Sequence, residues 1–97
     1  MVRTIFLHKV KNFNAWKKVF DSFYNQRKKY GEKGYSVGTV LGEPNNAYVI
    51  NEWESVEKFN TFRNSTELQN AMKEAGVIEE PKITILDVVQ QEVHQNY

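Results

Sequence analysis

The chain opens on a stretch that alternates like a β-strand and is partly apolar on both faces. One alternating set is Val2, Thr4, Phe6, His8 and Val10, and the other is Arg3, Ile5, Leu7 and Lys9. The β-branched and aromatic residues in this alternation predict a strand over 2–10. A strand that is apolar on both faces is usually covered on both, so we expect helices on one side of its sheet and a partner on the other.

The hydrophobic period then lengthens to that of a helix. Positions on one helical face are Phe13, Trp16, Val19, Phe20, Phe23, Arg27 and Tyr30. This spacing predicts one long amphipathic helix that begins after an N-cap at Asn12 and ends at Gly31. A basic group near its end, formed by Arg27, Lys28, Lys29 and Lys33, is interpreted as a solvated helix terminus rather than an anion site.

A hairpin and a second helical region follow. Alternation over 34–43 and 47–54 predicts two strands joined by a turn at 44–46, and the glycines of the first strand indicate a bulge or a close backbone contact. Ser55 is placed to cap a helix, Ser65 or Thr66 to cap a further helical segment, and Gly76 to end it. Pro81 then opens a long last strand that reaches Val93, and residues 94–97 are expected to be loose.

The predicted order β-α-β-β-α-β is the split βαβ arrangement of a single α+β domain spanning residues 1–97. In this ferredoxin-like fold two helices cover one face of a four-stranded antiparallel sheet. The other face would carry Ile5, Leu7, Tyr48 and Ile50. An exposed apolar face of this kind predicts a homodimer formed through the sheet.

Composition narrows the partners and the chemistry. With 13 basic and 12 acidic residues the net charge is +1, which gives no general attraction for nucleic acid or acidic membranes. The absence of cysteine excludes disulfides, thiolate nucleophiles and cysteine-based metal sites. The first ten residues are too charged for a signal peptide or a membrane span, so we expect a cytoplasmic protein.

Several local patterns occur together: LHKV at 7–10, FNAWK at 13–17, FD at 20–21, EWES at 52–55 and LQNAMKEAGV at 68–77. Over about residues 2–89 the chain thereby resembles the dimeric α/β-barrel superfamily, specifically the small antibiotic-biosynthesis-monooxygenase-like and cyclase-like proteins. The resemblance implies a dimeric α/β barrel. It does not imply one reaction, because that superfamily includes cofactor-free oxygenases, haem-degrading enzymes, isomerase-like proteins and stress-induced proteins.

The resemblance also implies a site. Trp53 matches a tryptophan that the oxygenases carry at the end of the third strand, and His8 stands where they usually have asparagine. Both are implied to face a cavity between sheet and helices. The haem-degrading branch has a haem-ligating histidine where this chain has Met72, which argues against haem, so we expect neither a cofactor nor a metal.

Each candidate residue has a structural alternative. His8 is the residue suited to act as a general base, or it is a core histidine held by a backbone carbonyl or a tyrosine hydroxyl. Trp53 and Asn51 either position a planar substrate or fill the core and satisfy backbone groups. The expected substrate-binding set is completed by Phe6, Tyr35, Phe62 and Met72.

Three functions therefore remain open. The first is a cofactor-independent monooxygenase-like or isomerase-like enzyme that acts on a small aromatic or ketonic compound, with His8 and Trp53 lining one pocket. The second is a non-catalytic binder of a small apolar ligand, and the third is a structural, stress-response-like dimer. The cavity separates them, because a cavity filled by Phe23, Phe62 and Met72 would leave no ligand site.

Overall fold

The computed structural model of the chain describes residues 1–94. Its elements are β1 (Val2–Lys9), α1 (Phe13–Ser22), α2 (Tyr24–Lys29), β2 (Glu32–Val40), β3 (Glu43–Trp53), α3 (Val56–Arg63), α4 (Thr66–Glu74) and β4 (Lys82–Asp87). The strands form one antiparallel sheet in the order β2-β3-β1-β4. Because each pair of short helices occupies one helical position, the predicted ferredoxin-like topology is confirmed.

The single long helix predicted for the first helical region is wrong. It breaks at Phe23, whose N–H is shared between the carbonyls of Val19 and Phe20 at 3.2 Å each, a pattern of helix ends. The predicted termini are confirmed, since the Asn12 side chain accepts from the N–H of Ala15 and Gly31 has φ 101°. The solvated basic terminus is wrong for Arg27, which is 3% exposed.

The hairpin turn lies earlier than predicted. Val40 pairs with Glu43, so Leu41 and Gly42 form a two-residue turn in which Gly42 takes φ 81°, a conformation that favours glycine. Residues 44–46 instead belong to β3, at an irregularity in its pairing with β2. Proline is tolerated there because a bulge leaves its missing N–H without consequence.

The last strand is also shorter than predicted. β4 ends at Asp87, whose partner is Val2 at the very start of β1. Past Asp87 one more backbone hydrogen bond forms, from the N–H of Val88 to the Met1 carbonyl at 3.3 Å, and Val89 and Val93 are 94% and 81% exposed. His94 is exposed and in no helix or strand, and the rest of the expected loose tail, 95–97, lies outside the described residues.

The second helical region follows its predicted caps. The Ser55 hydroxyl accepts from the N–H of Lys58, and the Ser65 hydroxyl accepts from the N–H of Leu68. Gly76 has φ 78° just past α4. The bulge predicted from the glycines of β2 occurs between Glu32 and Gly34, and Gly38 makes the close contact, directly beside the Tyr48 ring.

Alternation along the central strands produces two sheet faces of different character. On the covered face, which packs against the helices, Thr4, Phe6 and His8 of β1 lie beside Val49, Asn51 and Trp53 of β3, and all six are buried. On the open face lie Ile5, Leu7, Tyr48 and Ile50, all half-buried. Within residues 1–94 no helix is long and apolar enough to cross a membrane.

Candidate functional site

A cavity of about 60 Å³ lies between the covered face and the helices. Its floor is formed by Phe6 and His8 of β1 and by Val49 and Asn51 of β3. A volume of this size has room for several water molecules but is smaller than the pockets of about 300 Å³ or more that enclose drug-sized ligands. The cavity is also smaller than the roughly 150 Å³ that holds a benzene ring, so any ring compound requires side-chain movement to enter, and a polycyclic one requires the most.

The walls of the cavity come from both helical pairs. The first pair contributes Trp16, Val19, Phe20, Phe23 and Arg27, and the second contributes Phe62, Leu68, Ala71, Met72 and Ala75. Phe23, Phe62 and Met72 thus narrow the cavity without filling it. The lining is almost entirely apolar, so the few polar atoms that reach it decide which chemistry it accepts.

His8 is the first of these polar groups. Its side chain is 5% exposed, its ring stacks on Phe6 with the centroids 5.6 Å apart, and Trp16 lies at the same distance. Nδ1 is buried without a hydrogen-bond partner in the described chain. Burial lowers the pKa of His8 from 6.5 to about 4, because a low dielectric disfavours the charged imidazolium. At neutral pH the cavity therefore contains a neutral imidazole.

A buried polar network runs beside the cavity. The Trp53 indole donates to the Thr4 hydroxyl at 2.8 Å, and Thr4 donates to Asn51 Oδ1 at 3.3 Å. Asn51 Nδ2 donates to Glu32 Oε2 at 2.6 Å, and Arg27 Nε donates to the same carboxylate at 3.0 Å. All five residues are at most 7% exposed.

The direction of this network follows from its first member. An indole N–H can only donate, so the Thr4 hydroxyl accepts from Trp53 and its own proton is directed to Asn51. The Asn51 amide must then present its oxygen to Thr4 and its NH₂ to Glu32, which fixes the amide orientation. The Glu32 carboxylate is the final acceptor, and it receives hydrogen bonds from two sides.

Arg27 is the second polar group at the cavity. Its Nε binds Glu32 and its Nη1 donates to the Phe20 carbonyl at the end of α1. The guanidinium also lies 3.7 Å from the Phe20 ring centroid and 4.9 Å from that of Tyr35. Nη2 is buried without a hydrogen-bond partner in the described chain. The guanidinium of Arg27 is therefore fixed by its contacts, and its Nη2 group remains free to donate.

Comparison with known proteins finds likeness in structure but not in sequence. No family model matches the chain, and no curated protein matches it. SnoaB, a cofactor-independent oxygenase from Streptomyces nogalater, is 11% identical, covers 93% of this chain and 94% of its own, and has a TM-score of 0.76. A candidate antibiotic biosynthesis monooxygenase from Bordetella bronchiseptica is 17% identical, with 92% and 97% covered and a TM-score of 0.76.

A candidate monooxygenase of the same kind from Deinococcus radiodurans is 17% identical, with 99% of this chain and 100% of that chain covered and a TM-score of 0.74. The chain has the fold of the antibiotic biosynthesis monooxygenase-like proteins. At these identities the likeness concerns the fold alone, since one fold serves many chemistries.

Within this monooxygenase-like fold, five of the residues expected at the site line the cavity, namely Phe6, His8, Asn51, Phe62 and Met72. Tyr35 does not; it is 45% exposed and packs on Phe20 outside. Trp53 is fully buried and belongs to the network instead.

The expectation that His8 and Trp53 approach one another is wrong. β1 and β3 are neighbours, as predicted, but His8 pairs with Ala47 whereas Trp53 pairs with Val2. The two positions lie six residues apart along β1, a distance of about 20 Å at about 3.3 Å per residue. Sharing a sheet face is therefore not enough, because the antiparallel register sets them at opposite ends.

Sequence reasoning missed Arg27 and Glu32 as a buried pair. A signal existed, since Arg27 falls on the apolar stripe with Phe20 and Phe23 rather than on the polar side of the helix. Glu32 follows five residues later, immediately after Gly31. Here a charged residue lies on an apolar stripe and a residue of opposite charge follows across a nearby turn. This pattern indicates a buried ion pair.

A larger outer cleft of about 670 Å³ lies on the other side of α4. It shares Phe6, Leu68 and Met72 with the cavity, so the two α4 side chains form the wall between them. No residue of α4 is buried, which makes this wall the least anchored part of the enclosure.

Within residues 1–94 no cluster of histidine, aspartate and glutamate is arranged to hold a metal ion.

Proposed function

We propose that the chain is a cytoplasmic homodimer whose cavity binds a small planar aromatic or ketonic compound, and that it acts as a cofactor-independent monooxygenase-like enzyme. The observation that carries the proposal is the unpartnered Nδ1 of His8 at an apolar cavity. A buried polar atom without a partner is costly and is uncommon in native structures. A ligand that hydrogen-bonds to the imidazole would remove that cost.

The chemistry assigned to His8 is that of a general base. A neutral imidazole accepts a proton from an acidic methylene of the substrate, which leaves a carbanion, or from a phenol, which leaves a phenolate with carbanion character at a ring carbon. Dioxygen adds to that carbon, and return of the proton gives a hydroperoxide. Loss of water from the hydroperoxide leaves a carbonyl, so one methylene and one dioxygen yield one carbonyl and one water. SnoaB, which shares the fold, is a cofactor-independent oxygenase.

A second candidate function is binding without turnover. It is favoured by the pKa of about 4 for His8, because an imidazole with so low a pKa is a weak base for a phenol or a carbon acid. In this alternative His8 only accepts or donates a hydrogen bond to the bound compound. The small volume of the cavity is compatible with either function.

The dimer is proposed to form through the open face. Ile5, Leu7, Tyr48 and Ile50 lie there without a covering helix, and an isolated subunit would leave this apolar surface in water. Obligate dimers bury about 2,000 Å² or more in total. The exposed segment after β4, which carries Val89 and Val93, is proposed to extend across the partner.

The test separates binding from turnover. Trp16 lines the cavity and Trp53 does not, so single-ring phenols and ketones with an acidic methylene are titrated into the Trp53→Phe variant, in which Trp16 is the remaining indole. We expect saturable quenching, absent from the matched Trp16→Phe variant. Dioxygen uptake is then measured for the parent, for His8→Ala and for the control His94→Ala.

Each result selects one function. Uptake by the parent and by His94→Ala, but not by His8→Ala that still binds, supports the enzyme. Saturable binding with no uptake by the parent contradicts catalysis and supports the binder. If no compound quenches Trp16, ligand binding is contradicted and a structural dimer is the better description.

A further inference from the structure

We propose that Arg27 is the specificity-determining residue of the cavity and that its Nη2 donates a hydrogen bond to a neutral carbonyl oxygen of the bound compound. The inference rests on the proposed function, because it requires that the cavity takes a ligand. Beyond the proposed function, it specifies the polar group of the ligand, a neutral carbonyl, and the atom of the chain that binds it, Nη2 of Arg27. The site assigned here joins Arg27, Glu32 and Asn51.

The guanidinium of Arg27 has more donors than the described chain uses. Arginine carries five N–H donors and no acceptor. Nε is used by Glu32 and Nη1 by the Phe20 carbonyl, whereas Nη2 is buried and binds nothing in the described chain. Arg27 lines the cavity and is 3% exposed, so the acceptor proposed for these unused donors enters through the cavity.

Arg27 is held in place by contacts within the chain itself. Glu32 fixes one edge of the guanidinium, and the Phe20 carbonyl fixes another. The Phe20 ring packs on its plane at 3.7 Å from the centroid. A donor fixed in this way loses little conformational freedom on binding, which is the condition for selective recognition.

The charge balance at the cavity selects among possible acceptors. Glu32 already neutralises Arg27 at 3.0 Å, and Arg27 is the one residue among those lining the cavity that carries a fixed charge. A bound carboxylate would leave one net negative charge buried in an apolar site, which is unfavourable. A ketone or quinone oxygen accepts from Nη2 without adding charge. The cavity therefore favours a neutral carbonyl over a carboxylate.

Asn51 strengthens this selection. Its amide is oriented by the chain of donors that begins at Trp53, and its NH₂ is committed to Glu32 at 2.6 Å. That hydrogen bond stabilises the carboxylate that holds Arg27. Asn51 and Glu32 are therefore positioning residues, and Arg27 is the group that touches the ligand.

The test uses three single-ring probes of similar size: ethylbenzene, acetophenone and benzoate. Their affinities for the full chain are measured by calorimetry, and the Trp16 indole signal in NMR reports occupancy of the cavity. We expect acetophenone to bind about tenfold or more tighter than ethylbenzene, the effect of one hydrogen bond to a charged donor. We expect benzoate to bind about tenfold or more weaker than acetophenone.

The variant is Arg27→Lys, which keeps a cation for Glu32 but has a single nitrogen and so loses the Nη2 donor. Its acetophenone affinity should fall to within about twofold of its ethylbenzene affinity, while ethylbenzene binding stays near that of the parent. Arg63→Lys, the same change at an exposed arginine that does not line the cavity, should keep the parent preference. If Arg27→Lys does not fold, the role of Arg27 is tested on the parent alone. Its affinities for the three probes are compared, and the NMR signal of the Arg27 Nε–H should shift when acetophenone is added.

The outcomes separate this inference from the proposed function. Equal affinity of the parent for ethylbenzene and acetophenone, tighter binding of benzoate, or an unchanged preference in folded Arg27→Lys overturns the role of Arg27 while leaving ligand binding intact. If none of the three probes perturbs Trp16, the proposed function fails and the inference fails with it.

Discussion

The two faces of the sheet are built from the same strands. Polar groups lie on the covered face and apolar side chains on the open face, which is the opposite of the usual arrangement. The covered face is buried, yet it holds an ion pair, an amide, a hydroxyl and an imidazole. The open face lacks a covering helix, yet its centre is built from Ile5, Leu7, Tyr48 and Ile50. Buried polar groups and exposed apolar patches are the two observations that most often indicate function.

The proposed ligand and the proposed dimer account for this difference between the two faces. Polar groups with an unused donor and an unused imidazole nitrogen suit a small molecule that brings its own polar atom. A flat apolar surface with charged residues such as Arg3 and Glu52 beside it suits a second protein surface. If this comparison is right, changes on the open face should alter assembly, and changes on the covered face should alter the site and the stability of the subunit.

The largest effect is expected from a charge at the centre of the open face. Leu7→Asp or Ile50→Lys should give insoluble or unfolded protein, because an unpaired charge buried in the interface costs several kcal/mol and the separated subunit has no stable alternative. Solubility, circular dichroism and sedimentation measure this. Asn60→Asp, which adds a charge on the exposed side of α3, is the control and should behave like the parent. A parent chain that sediments as a monomer at micromolar concentration would contradict the proposed dimer.

The next effect tests the ion pair of the covered face. Glu32→Gln removes the counter-charge of Arg27 at a site where both side chains are at most 3% exposed, and we expect it to lower the free energy of unfolding by about 3–5 kcal/mol. Urea unfolding gives the value. Glu54→Gln breaks an ion pair with Lys58 whose side chains are about half exposed and should cause no measurable change. A Glu32→Gln variant as stable as the parent would mean that the network does not support the core.

The pH dependence of stability sharpens the role of His8. Its pKa is about 4 in the folded chain and 6.5 as a free group, so between these values the unfolded chain binds more protons. Stability should therefore fall as the pH is lowered from 6.5 to 4, by about 3 kcal/mol over the window, and change little above it. His8→Gln should flatten the part between pH 6.5 and 5, where carboxylates contribute least. His94→Gln, at the exposed histidine, should keep the parent profile, and an unchanged profile in His8→Gln would remove burial of the imidazole as the cause.

The topology was predictable because it depends on local alternation and caps. Ser55, Ser65 and Gly76 act within a few residues, so their roles are readable in the sequence. The break at Phe23 and the end of β4 were not, since neither is marked by a glycine or a proline. Tertiary contacts override local propensity at such positions.

For the site, the sheet face of each residue was predictable from the sequence, but the distances between residues were not. Parity identified His8 and Asn51 as members of the covered face, because side chains alternate along any strand. The distance between His8 and Trp53 was not predictable, because the register of β1 against β3 joins residues 37 to 51 positions apart. Arg27 was assigned to solvent as part of a basic helix end, where cations suit the helix dipole. Its burial becomes reasonable only when Glu32 and the Phe20 carbonyl are placed around it.

The smallest effect compares two glycines on one strand. A Cβ at Gly38 would lie 2.9 Å from the Tyr48 ring on the open face, whereas a Cβ at Gly34 would meet nothing within 4 Å. Neither glycine has a positive φ, so the two alanine variants differ only in this contact. Gly38→Ala should displace the Tyr48 ring and weaken the dimer by about 1–3 kcal/mol, the usual cost of overpacking, with acetophenone binding in the cavity unchanged. Gly34→Ala should leave assembly as in the parent. Sedimentation across a dilution series measures both, and equal dimer affinity for the two variants would show that Tyr48 lies outside the interface.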